Sequence, residues 1–125
     1  MDDKREIKMQ MTYRKLSKYN KINEKTCNRL VRDKIPDTIK TDGRKCDTSI
    51  VAGDERYKLL EAKFQEEVNE FLKDKNLEEL ANLVEVLFGI SDSLGYSEEE
   101  LLKAIYKKRE ERMRFRKGIG LKTAK

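Results

Sequence analysis

Glu66-Glu67-Val68-Asn69-Glu70 and, nine residues beyond Glu70, Glu79-Leu80-Ala81-Asn82 set carboxylate and amide oxygens one helical turn apart. On both stretches the surrounding face is apolar, and an unpaired carboxylate on a core-facing surface is costly. Such a cluster asks for a cation. A hard divalent ion, Mg²⁺ with Mn²⁺ as the alternative, takes a few carboxylate oxygens and keeps positions open for phosphate oxygens of a substrate. The chain has no histidine, so imidazole bases and imidazole zinc sites are excluded and any general base must be a carboxylate. The same residues have ordinary readings. Asn76-Leu77-Glu78-Glu79 fits a capping box, Lys63 and Glu67 form an i,i+4 pair, and Glu66 and Glu70 fit a solvated helix face.

The elements that must carry these groups are helical. Between Tyr57 and Lys73 the residues Leu60, Phe64, Val68 and Phe71 form one stripe, and Glu67 falls roughly 60° from its centre at about 100° per residue. Between Leu77 and Leu94 the apolar arc is wider: Leu80, Val84, Leu87 and Phe88 fill one side, and Leu83, Val86 and Ile90 continue it. Glu79 lies inside that second sector. A helix apolar around most of its circumference is central in a bundle or buried between subunits. The two acidic faces are therefore expected to meet inside an all-α bundle, and the wide arc predicts a homo-oligomer, a dimer in the first instance, with this helix at the interface.

Local signals divide the chain. Residues 1–26 carry eight Lys/Arg against four Asp/Glu with little sustained periodicity and read as a basic extension; 27–125 read as the functional domain. Asp33 is the expected N-cap of a short helix with Pro36 in its first turn, and Thr41-Asp42-Gly43 reads as a turn. Residues 47–51 allow at most a short strand or an extended segment. Asp54 is expected to cap a helix over 55–74, Asn76 one over 77–94 ended by Gly95, and Ser97-Glu98-Glu99-Glu100 opens a third over 98–113.

Composition narrows the classes. With 42% charged and 37% hydrophobic residues in 125, the core of a single domain must be lean and its surface very ionic. One proline and six glycines favour helices over a turn-rich β fold. Cys27 and Cys46 are too few for a zinc cluster or a disulfide framework and read as reduced thiols of a cytoplasmic protein. No long apolar run is present, so no membrane span is expected. Residues 107–125 hold nine Lys/Arg against two Asp/Glu, whereas 27–106 hold twelve against eighteen. An acidic centre with basic ends suits a metal site whose bound polyphosphate is gripped from outside. It also suits weak nucleic-acid binding, but Tyr13, Tyr19, Tyr106 and Phe115 are sparse stacking platforms, and the expectation is against a nucleic-acid partner.

Three stretches resemble one family. Asn28-Arg29-Leu30-Val31-Arg32-Asp33-Lys34-Ile35-Pro36 is similar to the N-K-L-V-R-D-K-I-P opening of MazG-like, phosphoribosyl-ATP pyrophosphohydrolase-like proteins. Glu66-Glu67-x-x-Glu70 with Glu79-x-x-Asn82 resembles their E-E-x-x-E … E-x-x-D signature. Lys108 to Phe115 with Lys117-Gly118-Ile119 resembles their closing K-R-E-E-R-G-G-F-x-K-G-I, so the likeness spans roughly residues 27–121. It implies an all-α helical bundle that hydrolyses the bond between the α- and β-phosphates of a nucleoside triphosphate, giving the monophosphate and pyrophosphate with Mg²⁺. On that reading Glu67, Glu70, Glu79 and Asn82 hold the metal, Glu66 orients the attacking water or acts as its base, and Arg32, Lys34, Arg109, Arg112 and Lys117 bind the phosphates.

Two positions depart from the family pattern. Asn82 stands where the family has aspartate, and an amide oxygen attracts Mg²⁺ less than a carboxylate does. Glu85 is no substitute, lying about 120° around the helix from Glu79. Met113-Arg114 replace a glycine pair, with bulkier side chains where backbone would approach phosphate. The alternative function is accordingly a degenerate member that binds or sequesters nucleotides without efficient hydrolysis.

Overall fold

A computed structural model describes residues 29–125. The basic extension expected over residues 1–26, and Cys27, lie outside the described residues. Those residues hold four helices and no strand: α1 (Ile35–Thr41), α2 (Gly53–Asp74), α3 (Leu77–Ser93) and α4 (Glu98–Arg112). Among the described residues the expectation of an all-α chain is met. No helix among them is long and apolar enough to cross a membrane. The chain divides into two compact units, with the division between Leu59 and Leu60, inside α2.

In the first unit, Pro36 lies in the first turn of α1 as expected, since its missing N–H has no intrahelical partner there. The expected Asp33 cap is not formed. Lys34 occupies the N-cap in a helical conformation with no side-chain cap, and the entry is closed by Ile35 N–H donating to the Arg32 carbonyl at 3.0 Å. A side-chain cap needs extended backbone at that residue, and the tight turn from Arg32 does not provide it. Asp42 and Gly43 end α1, Gly43 N–H donating to Lys40 O at 3.0 Å. Residues 44–52 are neither helix nor strand; Ile50 is 98% exposed, and among the described residues no strand offers a hydrogen-bond ladder. Cys46 is a free thiol whose Sγ lies 3.8 Å from the Pro36 carbonyl.

The second correction concerns the start of α2. The helix begins at Gly53, one residue before the expected Asp54 cap, with Gly53 at a φ of 57° that an L side chain rarely adopts. Asp54 and Glu55 instead sit in the first turn, where their charges complement the partial positive end of the helix.

In the second unit, local chemistry defines each end. Lys75, at φ 49°, closes α2 by donating its N–H to Phe71 O at 2.7 Å. Asn76 then caps α3, its Oδ1 accepting from Glu79 N–H at 2.9 Å. Gly95 follows the C-cap residue Leu94, as the sequence predicts. Ser97 and Glu100 form the full reciprocal capping box of α4.

One close approach sets how α2 lies on α3. A Cβ built on Gly89 would meet Leu60 Cδ2 at 3.0 Å, so the bare backbone of α3 receives the Leu60 side chain. Glycine inside a helix costs about 1 kcal/mol against alanine; here it allows Leu60 to be the buried apolar side chain of the described residues, at 6% exposure. Seven residues further along α2 lies Glu67, and seven back along α3 lies Asn82; both are buried. The two helices are therefore antiparallel in a register that sets Leu60 against Gly89 and Glu67 across from Asn82. The buried face of α2 is centred between Leu60 and Glu67, roughly 45° from the middle of its apolar stripe, while Phe64, Val68 and Phe71 are half-buried. Leu60→Ala is expected to destabilise the chain by about 3 kcal/mol, read as a lower denaturant midpoint, because a cavity opens where Leu60 packs against Gly89.

Candidate metal centre

The register that seats Leu60 on Gly89 carries the acidic residues with it. Three residues beyond Glu67 is Glu70, and three before Asn82 is Glu79. Carboxylate oxygens of Glu70, Asp74 and Glu79 lie within 4.8 Å of one another where α2 ends and α3 begins. Glu70 and Glu79 are half-buried and Asp74 is exposed, so the group opens to solvent on one side. Four of the residues predicted as ligands thus fall on two successive levels of one hairpin, Glu70 with Glu79 on the outer and Glu67 with Asn82 on the inner.

Asp74 was absent from the sequence reading. It stands four residues after Glu70, one turn on along the same face, and that i,i+4 spacing of two acids was the available signal. The extent of α2 to Asp74 and the start of α3 at Leu77 agree with the sequence reading; what the sequence did not reveal was the register that brings the Asp74 carboxylate beside Glu79.

The inner level is more enclosed. Glu67 is 3% exposed and its Oε2 is fully enclosed. Its Oε1 lies 3.6 Å from Lys63 Nζ, and the same ammonium lies 3.6 Å from Glu66 Oε1. The i,i+4 pairing of Lys63 with Glu67 is therefore realised. Asn82, 8% exposed, presents an amide at a level where an aspartate would add a second buried negative charge. Glu79 serves two purposes at once: its backbone N–H completes the Asn76 cap, while its carboxylate belongs to the acidic group.

The oxygens suit a hard cation. Mg²⁺ takes ligands at about 2.0–2.1 Å in an octahedron, so neighbouring ligand oxygens stand about 3 Å apart and opposite ones about 4.2 Å, and three carboxylate oxygens within 4.8 Å of one another reach that spacing by side-chain rotation. Three carboxylates with an open side leave room for water and phosphate oxygens.

The predicted phosphate-binding cations are distributed. Arg32 and Lys34 belong to the first unit, immediately before α1, and are exposed. Arg109 is half-buried in the last turn of α4, its guanidinium carbon 5.3 Å from the centre of the Tyr106 ring, an arrangement that orients the planar group. Arg112 is the last residue of α4, and Lys117 follows in the exposed, non-helical 113–125 segment, where Gly118 N–H donates to Phe115 O at 3.1 Å.

Met113 has φ 65° and ψ −150°, a region almost reserved for glycine. The backbone keeps a glycine-like turn out of α4 although the side chain is methionine. Met113→Gly is expected to raise stability by about 1 kcal/mol, seen as a higher denaturant midpoint, since the relieved strain exceeds the added freedom of the unfolded chain.

No family model, no curated protein and no solved structure matches this chain.

Proposed function

We propose that the chain is a Mg²⁺-dependent nucleoside triphosphate pyrophosphohydrolase of the MazG-like kind, working in the cytoplasm. The observation that carries the reading is the convergence of Glu70, Asp74 and Glu79 at one end of a helical hairpin, in a chain whose motifs resemble that family. Glu70 and Glu79, joined by Asp74, hold the ion; Glu67 and Asn82 support it from the inner level. A bound divalent ion supplies charge for the phosphate oxygens and acidifies water near it. Glu66, half-buried on the adjoining turn of α2, orients the water that attacks phosphorus and takes its proton, as no imidazole exists for the task. Arg109, pre-oriented on Tyr106, together with Arg112 and Lys117, neutralises the triphosphate as charge moves towards the leaving pyrophosphate.

The test is release of pyrophosphate and nucleoside monophosphate from a panel of nucleoside triphosphates with Mg²⁺ or Mn²⁺. Turnover that disappears with chelator supports the reading; absence of both turnover and nucleotide binding across the panel overturns it.

A second reading rests on Asn82. With an amide at the inner level the site has one formal charge fewer than the family signature, which favours a protein that binds or sequesters nucleotides without efficient hydrolysis. Calorimetric binding of a nucleotide with no product formed over hours selects this reading over the first.

A further inference from the structure

Lys63 keeps its side chain against the protein rather than in water. That side chain is 12% exposed, whereas Lys103, in the surface pair with Glu99 on α4, is 77% exposed. Withdrawing a lysine from water is costly unless opposite charge offsets it. Two carboxylates do so here: Nζ lies 3.6 Å from Glu66 Oε1 and 3.6 Å from Glu67 Oε1. The two acids differ in setting. Glu67, 3% exposed, is held in the buried face of α2. Glu66 points about 100° further round the helix, and its side chain is 27% exposed. One ammonium therefore spans an enclosed carboxylate and one with room to turn.

We propose that Lys63 is a positioning residue for Glu66, holding its carboxylate where it orients the attacking water. The inference rests on the metal-dependent hydrolysis proposed above and adds a residue to it. A half-exposed glutamate has several rotamers open to it, and settling into one costs entropy. A base must lie within hydrogen-bond reach of the proton it takes, and a misplacement of about 1 Å costs about 100-fold in rate. Lys63 narrows the choice, because a Glu66 carboxylate that turns away gives up the charge contact. Glu67 in turn keeps the ammonium from following, since it anchors Nζ from the enclosed side.

The same ammonium has an opposite effect on the ion. It sets positive charge beside the inner carboxylate of the site, and so opposes the arrival of a divalent cation. A residue that aids the reaction while hindering the metal leaves a signature that damage to the fold does not. Its removal slows turnover and tightens Mg²⁺ together.

The experiment is pyrophosphate release by the full chain at saturating nucleoside triphosphate, with Mg²⁺ titrated. It compares Lys63→Met, Lys63→Arg, Glu66→Gln and the double variant Lys63→Met/Glu66→Gln. Lys63→Met is expected to lower kcat by about 10- to 100-fold with KM nearly unchanged, and to lower the Mg²⁺ concentration for half-maximal rate by about 5-fold. Lys63→Arg keeps the charge and offers N–H groups to both acids, so it is expected within about 3-fold of the wild-type kcat. The double variant is expected to be no slower than Glu66→Gln, because a residue acting through Glu66 then has nothing to position. Wild-type kcat in Lys63→Met, or losses that multiply in the double variant, overturns the proposal and leaves the hydrolase reading standing. So does a weakened Mg²⁺ response in a folded Lys63→Met. A wild type that turns over no nucleoside triphosphate removes the reaction itself and this proposal with it. Far-ultraviolet circular dichroism reports folding; if Lys63→Met does not fold, Lys63→Gln, with a polar head and no charge, takes its place in the comparison.

Discussion

Glu70→Gln and Glu79→Gln are each expected to lower Mg²⁺-dependent pyrophosphate release by about 100-fold or more, without loss of fold. Either change removes one full charge and one oxygen donor from a group of three carboxylates within 4.8 Å. Altering even the outer partners of a metal site costs about 10–100-fold, so a direct donor is expected at or beyond the upper end. Asp74→Asn is expected to cost less, about 10-fold, because Asp74 is exposed and water can take its place. A stability readout separates loss of the site from loss of the protein. In cation-free buffer the three carboxylates repel one another, so replacing one by an amide leaves thermal stability unchanged or slightly higher. Mg²⁺ raises the melting temperature of the wild type through preferential binding to the folded state, and that rise shrinks in the variants. Full turnover in Glu70→Gln and Glu79→Gln together would mean that the ion, if required, is held elsewhere.

Asn82→Asp is expected to split the behaviour of the protein with and without metal. Asn82 is 8% exposed and, by the register that seats Leu60 on Gly89, stands level with Glu67, which is 3% exposed and shares Lys63 with Glu66. A second carboxylate at this level is desolvated and meets the like charge of Glu67. In chelator the variant is expected to lose about 2 kcal/mol, a fall of several degrees in melting temperature. With Mg²⁺ the deficit narrows, because the added carboxylate strengthens ion binding and binding stabilises the folded state. The Mg²⁺ concentration for half-maximal effect is expected to fall by about 10-fold, and hydrolysis to rise with it if charge at the inner level limits the rate. Equal melting temperatures in chelator and an unshifted Mg²⁺ midpoint would remove Asn82 from the site.

Much of the helical plan was legible in short windows of sequence. Asn76, Gly95 and the Ser97–Glu100 box lie where they were expected because each acts through bonds to residues within a turn of itself. Asp33 and Asp54 misled for a related reason. Both are good capping types, but a cap also needs an extended backbone at that residue, and the turn from Arg32 and the positive φ of Gly53 settle the conformation first. Residues 47–51 were rightly left open between strand and extended chain, since a strand exists only with a partner beside it.

By itself the sequence determined the helices, the return of α3 directly after α2, and the spacing that lays acids and an amide along one side of each. Tertiary structure alone decided the rotation and register of those helices. Apolar periodicity centres α2 on Leu60, Phe64, Val68 and Phe71, yet packing buries Glu67 with Leu60, as Gly89 admits the Leu60 side chain. That contact is a property of two surfaces together, which no single helix encodes. From it follow the pairing of Glu70 with Glu79, the place of Asn82 across from Glu67, and the entry of Asp74 into the acidic group.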